Sequence, residues 1–140
     1  MIACMAVIGF FISVYSFMHN QAWVSGNFCT LSSTVNCDIV NRGPYSSIFG
    51  IPVSLLGVIG YFLMAVGAFM KVSHPEDRGL TLFTAIVVTC GFVFSLYLTA
   101  LEFFVINAWC ILCIASQLLM LINFILIFSL WKRETEETAI

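Results

Sequence analysis

Four stretches of this chain carry no Asp, Glu, Lys or Arg: Met1–Met18, Ile51–Met70, Leu80–Leu101 and Ala108–Trp131. Nothing else in the sequence restricts its folding as much. At about 1.5 Å per helical residue, some 18 residues reach roughly 27 Å, just enough to cross the hydrocarbon core of a bilayer. Backbone polar groups in lipid must be satisfied within the segment, so each stretch is expected to be a helix. Composition agrees, with 61% of residues hydrophobic and only 9% charged. A soluble domain, with about 25% charged residues, covers its core with side chains this chain lacks. The expected fold is therefore all-α: one domain over residues 1–140, an integral membrane four-helix bundle with spans at 1–18, 51–70, 80–101 and 108–131. The first stretch lacks a basic leader and a small-x-small cleavage site, which favours a retained helix over a signal peptide.

The intervening segments differ in kind. Residues 71–78 form a short charged turn containing His74, which is read as solvated, and residues 132–140 a charged tail. Residues 19–50 are polar and rich in turn formers, among them Gly26, Asn27, Asn36, Gly43 and Pro44. They are also too many for a simple connector, since helix–helix links usually run about 2–8 residues. Lys71, Arg78, Lys132 and Arg133 fall on one side of the four-span arrangement and Arg42 on the other. The positive-inside rule then places both termini in the cytoplasm and the long loop outside. That fits a multi-pass protein of a bacterial inner (plasma) membrane, or of the endoplasmic reticulum membrane in a eukaryote. No basic patch suggests nucleic-acid binding.

Six cysteines are distributed over this plan: Cys4, Cys29, Cys37, Cys90, Cys110 and Cys113. Cys4 and Cys90 lie inside spans and read as small hydrophobes. Cys110-Ile-Leu-Cys113 is a C-x-x-C, weak evidence alone. Its position at the outer start of the fourth span, on the side that also holds Cys29 and Cys37, gives it weight, because disulfides form in that compartment. Residues three apart on a helix are neighbours, at a separation suited to a disulfide. With Asn107 as N-cap, Cys110 becomes the third helical residue, where free N–H groups and the helix dipole favour a thiolate at Cys110 or Cys113. Spacing alone also allows Cys29–Cys37 to be a structural disulfide bracing the loop. Four thiolates could hold zinc, but the C-x-x-C has no matching partner motif and no metal is expected. Glu102, near the outer boundary, reads as solvated interface. Phe49, Phe92, Phe94, Phe103 and Phe104 read as bundle or lipid contacts.

In order, Cys29-x7-Cys37, Ser46-Ser47-Ile48-Phe49-Gly50 and Cys110-x-x-Cys113 resemble the vitamin K epoxide reductase family and its bacterial and archaeal homologues, across nearly the whole chain. The resemblance implies a four-helix bundle around a quinone pocket capped by the long loop. It implies that Cys29 and Cys37 are a shuttle pair taking electrons from a thioredoxin-like periplasmic protein. Cys110 and Cys113 would be the active-site pair, with Cys110 exchanging with Cys37 and Cys113 next to the quinone. Ser46 or Ser47 takes the place of a polar residue near the quinone carbonyl, and Phe49 belongs to the same motif. Gln117 stands where vertebrate members have a tyrosine, so reduction of vitamin K epoxide is less well supported than that of a ubiquinone, menaquinone or vitamin K quinone. With only nine residues after the last span, the thiol partner is expected to act in trans. The expected activity is thus a quinone-dependent thiol–disulfide oxidoreductase supporting disulfide formation. The alternatives are a vitamin K quinone or epoxide reductase and a non-enzymatic membrane protein with a disulfide-braced loop. A transporter is disfavoured, because acids and bases sit only at the span edges.

Overall fold

A computed structural model describes residues 1–25, 27 and 29–140; Gly26, counted above among the turn formers, and Phe28 lie outside the described residues. Helix α1 covers Ile2–Asn20, the short α2 Cys37–Arg42, α3 Val53–Ser73, α4 Arg78–Leu101 and α5 Ile111–Ala139. Strands β1 (Ser47–Ile48) and β2 (Ile51–Pro52) form a small antiparallel hairpin. Helices α1, α3, α4 and α5 are each long and apolar enough to cross a membrane. The charged segment after Trp131 is helical, because α5 continues to Ala139.

The four long helices close into a ring in which α1 packs on α3, α3 on α4, α4 on α5 and α5 on α1. Its core is thin: Ala6, Tyr61, Met64, Val88, Met120 and Ile127. Large apolar side chains such as Phe11, Phe62, Phe69 and Ile125 face outward, as expected where lipid is the solvent. Lipid-like surroundings give no hydrophobic drive between helices, so close approach through small residues matters. Gly9 is the clearest instance, since a Cβ there would sit 2.1 Å from the Tyr61 ring.

The end of the bundle holding the α3–α4 turn is polar. Lys71 Nζ meets Glu134 Oε1 at 2.7 Å, Thr81 Oγ1 donates to the same oxygen, and Arg78 reaches the Glu134 carbonyl and the Thr138 hydroxyl. Asp77 caps α4 by accepting from the Gly79 N–H.

At the opposite end, the described residues between α1 and α3 fold over the helix tips. The Asn36 side chain accepts from the Asp38 and Ile39 N–H groups and so starts α2. The strand-like residues before α2 pair with those before α5: Trp109 N–H donates to Thr34 O at 2.7 Å and Asn36 N–H to Trp109 O at 3.0 Å. The pairing of Val35 with Trp109 is parallel, so both strands run on in the same direction and bring Cys37, two residues after Val35, to Cys110, directly after Trp109. Between α4 and α5, Glu102–Ile106 is a π-helical turn that ends at Asn107 in a left-handed conformation (φ 52°). Asn107 therefore does not cap α5. That position falls to Cys110, in extended backbone, with Cys113 as the third helical residue.

Candidate functional site

The Cys29 and Cys37 sulfurs are joined in a disulfide, while Cys110 and Cys113 are free thiols. Cys37 Sγ lies 3.0 Å from Cys110 Sγ. Cys29, Cys37 and Cys110 are each 0% exposed and form one small cluster with Val40, Leu112 and Cys113 against it. The sulfurs of the first three lie within 4.8 Å of one another. Two of them are spent in the disulfide, which offers no thiolate to a metal. Cys4 and Cys90 are far from this chemistry and face outward from α1 and α4.

The cap-position geometry of Cys110 favours its thiolate. Its pKa lies below the ordinary thiol range, chiefly because the Cys113 thiol donates to its sulfur. Burial opposes this, the N–H groups of Cys113 and Leu112 at the helix start add to it, and the nearby Glu102 charge works against it. Asn41 Nδ2 points at Cys110 Sγ at 4.0 Å and is itself fixed by Ser16 Oγ, which donates to Asn41 Oδ1 at 3.0 Å.

Helix α2, which carries Cys37, is tied to the tip of α1. His19 Nε2 lies 2.9 Å from Asp38 Oδ1, Arg42 Nε donates to the His19 carbonyl at 3.1 Å, and Asn20 Nδ2 donates to the Asn41 carbonyl. His19 is 1% exposed. Neither it nor Asn41 drew notice in the sequence.

Beneath the cysteines a cavity of about 150 Å³ opens between the helices. Cys113 lines it, while Cys29, Cys37 and Cys110 do not. Ser46 and Gln117 also line it, with Thr99 Oγ1 donating to Gln117 Oε1 at 3.4 Å. Ser47 and Phe49 lie outside it. Ser47 is exposed on β1, and Phe49 sits fully exposed in the hairpin turn with Gly50, both at positive φ, a geometry that turns its ring away from the bundle. Of the aromatic residues assigned to packing, Phe94 reaches the cavity wall, Phe92 stacks on Phe124, and Phe103 and Phe104 are exposed. Tyr61 is a further lining residue, and its hydroxyl donates to the Ser116 carbonyl at 3.0 Å.

Glu102 corrects the expectation of a solvated carboxylate. It is 4% exposed, lines the cavity, and its Oε2 accepts the Cys110 N–H at 3.4 Å. The π-helical turn changes the facing of the chain at this point and brings the carboxylate inward.

The chain belongs to the vitamin K epoxide reductase family, whose family model matches residues 1–128. No curated protein matches it. Family, four apolar helices and a disulfide beside a free thiol together make it a multi-pass membrane redox enzyme.

Proposed function

We propose, with family membership as the premise, that this enzyme passes electrons from a thioredoxin-like protein through Cys29/Cys37 to Cys110/Cys113 and on to a membrane quinone, supporting disulfide formation outside the cytoplasm. The observation that carries the reading is the 3.0 Å approach of Cys37 Sγ to Cys110 Sγ, with Cys113 turned into the cavity. Cap-position Cys110 faces the outer disulfide and Cys113, in the first turn of α5, lines the cavity, so a single C-x-x-C addresses both sides.

A partner dithiol reduces the Cys29–Cys37 disulfide and is itself oxidised. Cys37 thiolate then attacks Cys110 of a Cys110–Cys113 disulfide, and Cys113 leaves as thiolate. Cys29 displaces Cys110 from Cys37, which restores the outer disulfide and leaves the inner pair reduced. That is the arrangement described above. Closing the inner pair releases two electrons and two protons, the amount that reduces a quinone to a hydroquinone. The cavity suits a quinone ring: a hole of about 150 Å³ lined by apolar groups accommodates benzene, and the Ser46 and Gln117 side chains offer hydrogen bonds at its wall.

Substitution of Cys113 by alanine tests the order. Without Cys113 no inner disulfide can close; the Cys110 thiolate instead attacks Cys37 of the outer disulfide, Cys29 leaves, and Cys37–Cys110 should accumulate because no Cys113 thiol is present to release Cys110. Non-reducing peptide mapping that finds no such link overturns the relay. A disulfide-braced scaffold without activity predicts instead that loss of Cys110 or Cys113 changes nothing.

A further inference from the structure

Glu102 is the one charged side chain lining the cavity among the described residues. Burial of a lone carboxylate is costly, and such groups inside membrane proteins mark proton or ion chemistry. Among the described residues no lysine or arginine lines the cavity to neutralise it. Its Oε2 instead accepts the N–H of Cys110 at 3.4 Å, and Cys113, the other member of the reacting pair, lines the same cavity. A π-helical turn, a feature often found at functional sites, holds it there.

We propose that Glu102 takes the proton from the Cys113 thiol as the Cys110–Cys113 disulfide closes, and then returns that proton to the reduced acceptor in the cavity. This rests on the relay described above. In the step the Cys113 S–H bond breaks and one S–S bond forms. Two electrons leave to the two-electron acceptor. One proton travels from Cys113 through Glu102, and the Cys110 thiol supplies the other. The carboxylate ends as it began. The titratable groups around it are the Cys110 and Cys113 thiols and, on the cavity wall, Tyr45 and Tyr61. Asp38 and Arg42 on α2 are engaged with each other and with His19.

Glu102→Gln is the informative variant, since glutamine still accepts the Cys110 N–H but cannot take a proton. In a Cys29→Ser/Cys37→Ser background only the inner pair reacts. The reduced proteins are oxidised with diamide, quenched by alkylation at timed intervals, and the Cys110–Cys113 disulfide is quantified by mass spectrometry from pH 5.5 to 8.5. With Glu102 present, the closure rate should rise by much less than tenfold per pH unit. E102Q should close about 100-fold more slowly near pH 6, the low end for general acid–base assistance, and gain about tenfold per pH unit as unaided thiol ionisation requires. Equal rates and slopes in the two proteins overturn the proposal. So does a tenfold-per-unit slope with Glu102 intact, which needs no variant and holds even if E102Q folds poorly. A parallel run with a short-tailed quinone separates the premises. Closure by diamide without closure by quinone refutes the acceptor, not the carboxylate's role.

Discussion

Replacing His19 with phenylalanine should slow sulfur exchange between Cys37 and Cys110 without touching either cysteine. His19 Nε2 lies 2.9 Å from Asp38 Oδ1, and Asp38 directly follows Cys37. Phenylalanine keeps the bulk of a side chain that is 1% exposed but removes the polar contact. Losing a buried hydrogen bond to a charged carboxylate costs about 1.5–3 kcal/mol. Asp38 is 44% exposed, so water replaces much of what is lost, and a cost of about 1–1.5 kcal/mol is the better figure. If that energy serves to hold α2 in register, and about 1.4 kcal/mol corresponds to tenfold, the engaged arrangement becomes five- to tenfold rarer. The assay uses the Cys113→Ala protein, in which Cys110 thiolate attacks Cys37 of the outer disulfide and Cys29 leaves. Rapid alkylation followed by non-reducing peptide mapping gives the rate at which Cys37–Cys110 appears. Adding His19→Phe should lower that rate five- to tenfold and leave helix content unchanged. An unchanged rate refutes the idea that the α1 tip positions Cys37.

Other outcomes are equally open to measurement. Because Cys113 is the main donor to Cys110, Cys113→Ala should move the pH midpoint of Cys110 exchange upward, toward ordinary thiols, while Cys113→Ser, which keeps a donor, should move it less. The sign follows from the lowered pKa: exchange is full above it and fades as pH falls through it, so a raised pKa costs rate at neutral pH. Gln117→Ala and Ser46→Ala should each raise the quinone concentration for half-maximal rate by about five- to tenfold, on about 1 kcal/mol per hydrogen bond, with Ser47→Ala unchanged in the same steady-state assay. Gly9→Ala should destabilise the bundle by about 1–3 kcal/mol through overpacking against Tyr61, more than Gly91→Ala, whose added methyl meets the flexible end of Met120; unfolding in mixed detergent ranks the two.

The spans were legible because the cost of charge in lipid is written directly into composition. Their ends were less so. Helix α4 runs past Leu101 into a π-helical turn, and Asn107 adopts left-handed backbone, so α5 begins at Ile111 rather than near Ala108. No local preference announces a π-turn. Glu102 was visible as an odd acid near a span end, but its facing depends on that same turn. Ser46 and Ser47 could not be told apart, because which of two neighbours faces the bundle is settled by the hairpin, and its turn places Phe49, a poor residue for positive φ, beside Gly50. The contact of His19 with Asp38 joins residues 19 apart in sequence and is a product of tertiary structure alone.

The shift of the α5 start by a few residues changes what the C-x-x-C can do. Had both cysteines stood inside the helix, as the Asn107 cap implied, they would lie one above the other on a single face. Both would then address the loop, or both the bundle. Cys110 instead has extended backbone at the cap (φ −110°, ψ 120°), and only Cys113 is helical. The cap residue is free of the helical direction and reaches Cys37, while the helical residue follows α5 into the cavity wall. Three features set this division: the parallel pairing of Val35 with Trp109, the π-turn at Glu102–Ile106, and the left-handed Asn107. Asn107 is therefore the residue whose backbone matters most to the hand-over. Replacing it with glycine keeps φ 52° accessible, whereas valine, β-branched, opposes it. Asn107→Gly should leave Cys37–Cys110 trapping in the Cys113→Ala protein within about twofold. Asn107→Val, with strain on the order of 1–3 kcal/mol, should reduce it about tenfold or more. Equal trapping in the two would mean that the cap geometry is held by the Trp109 ladder without help from this residue.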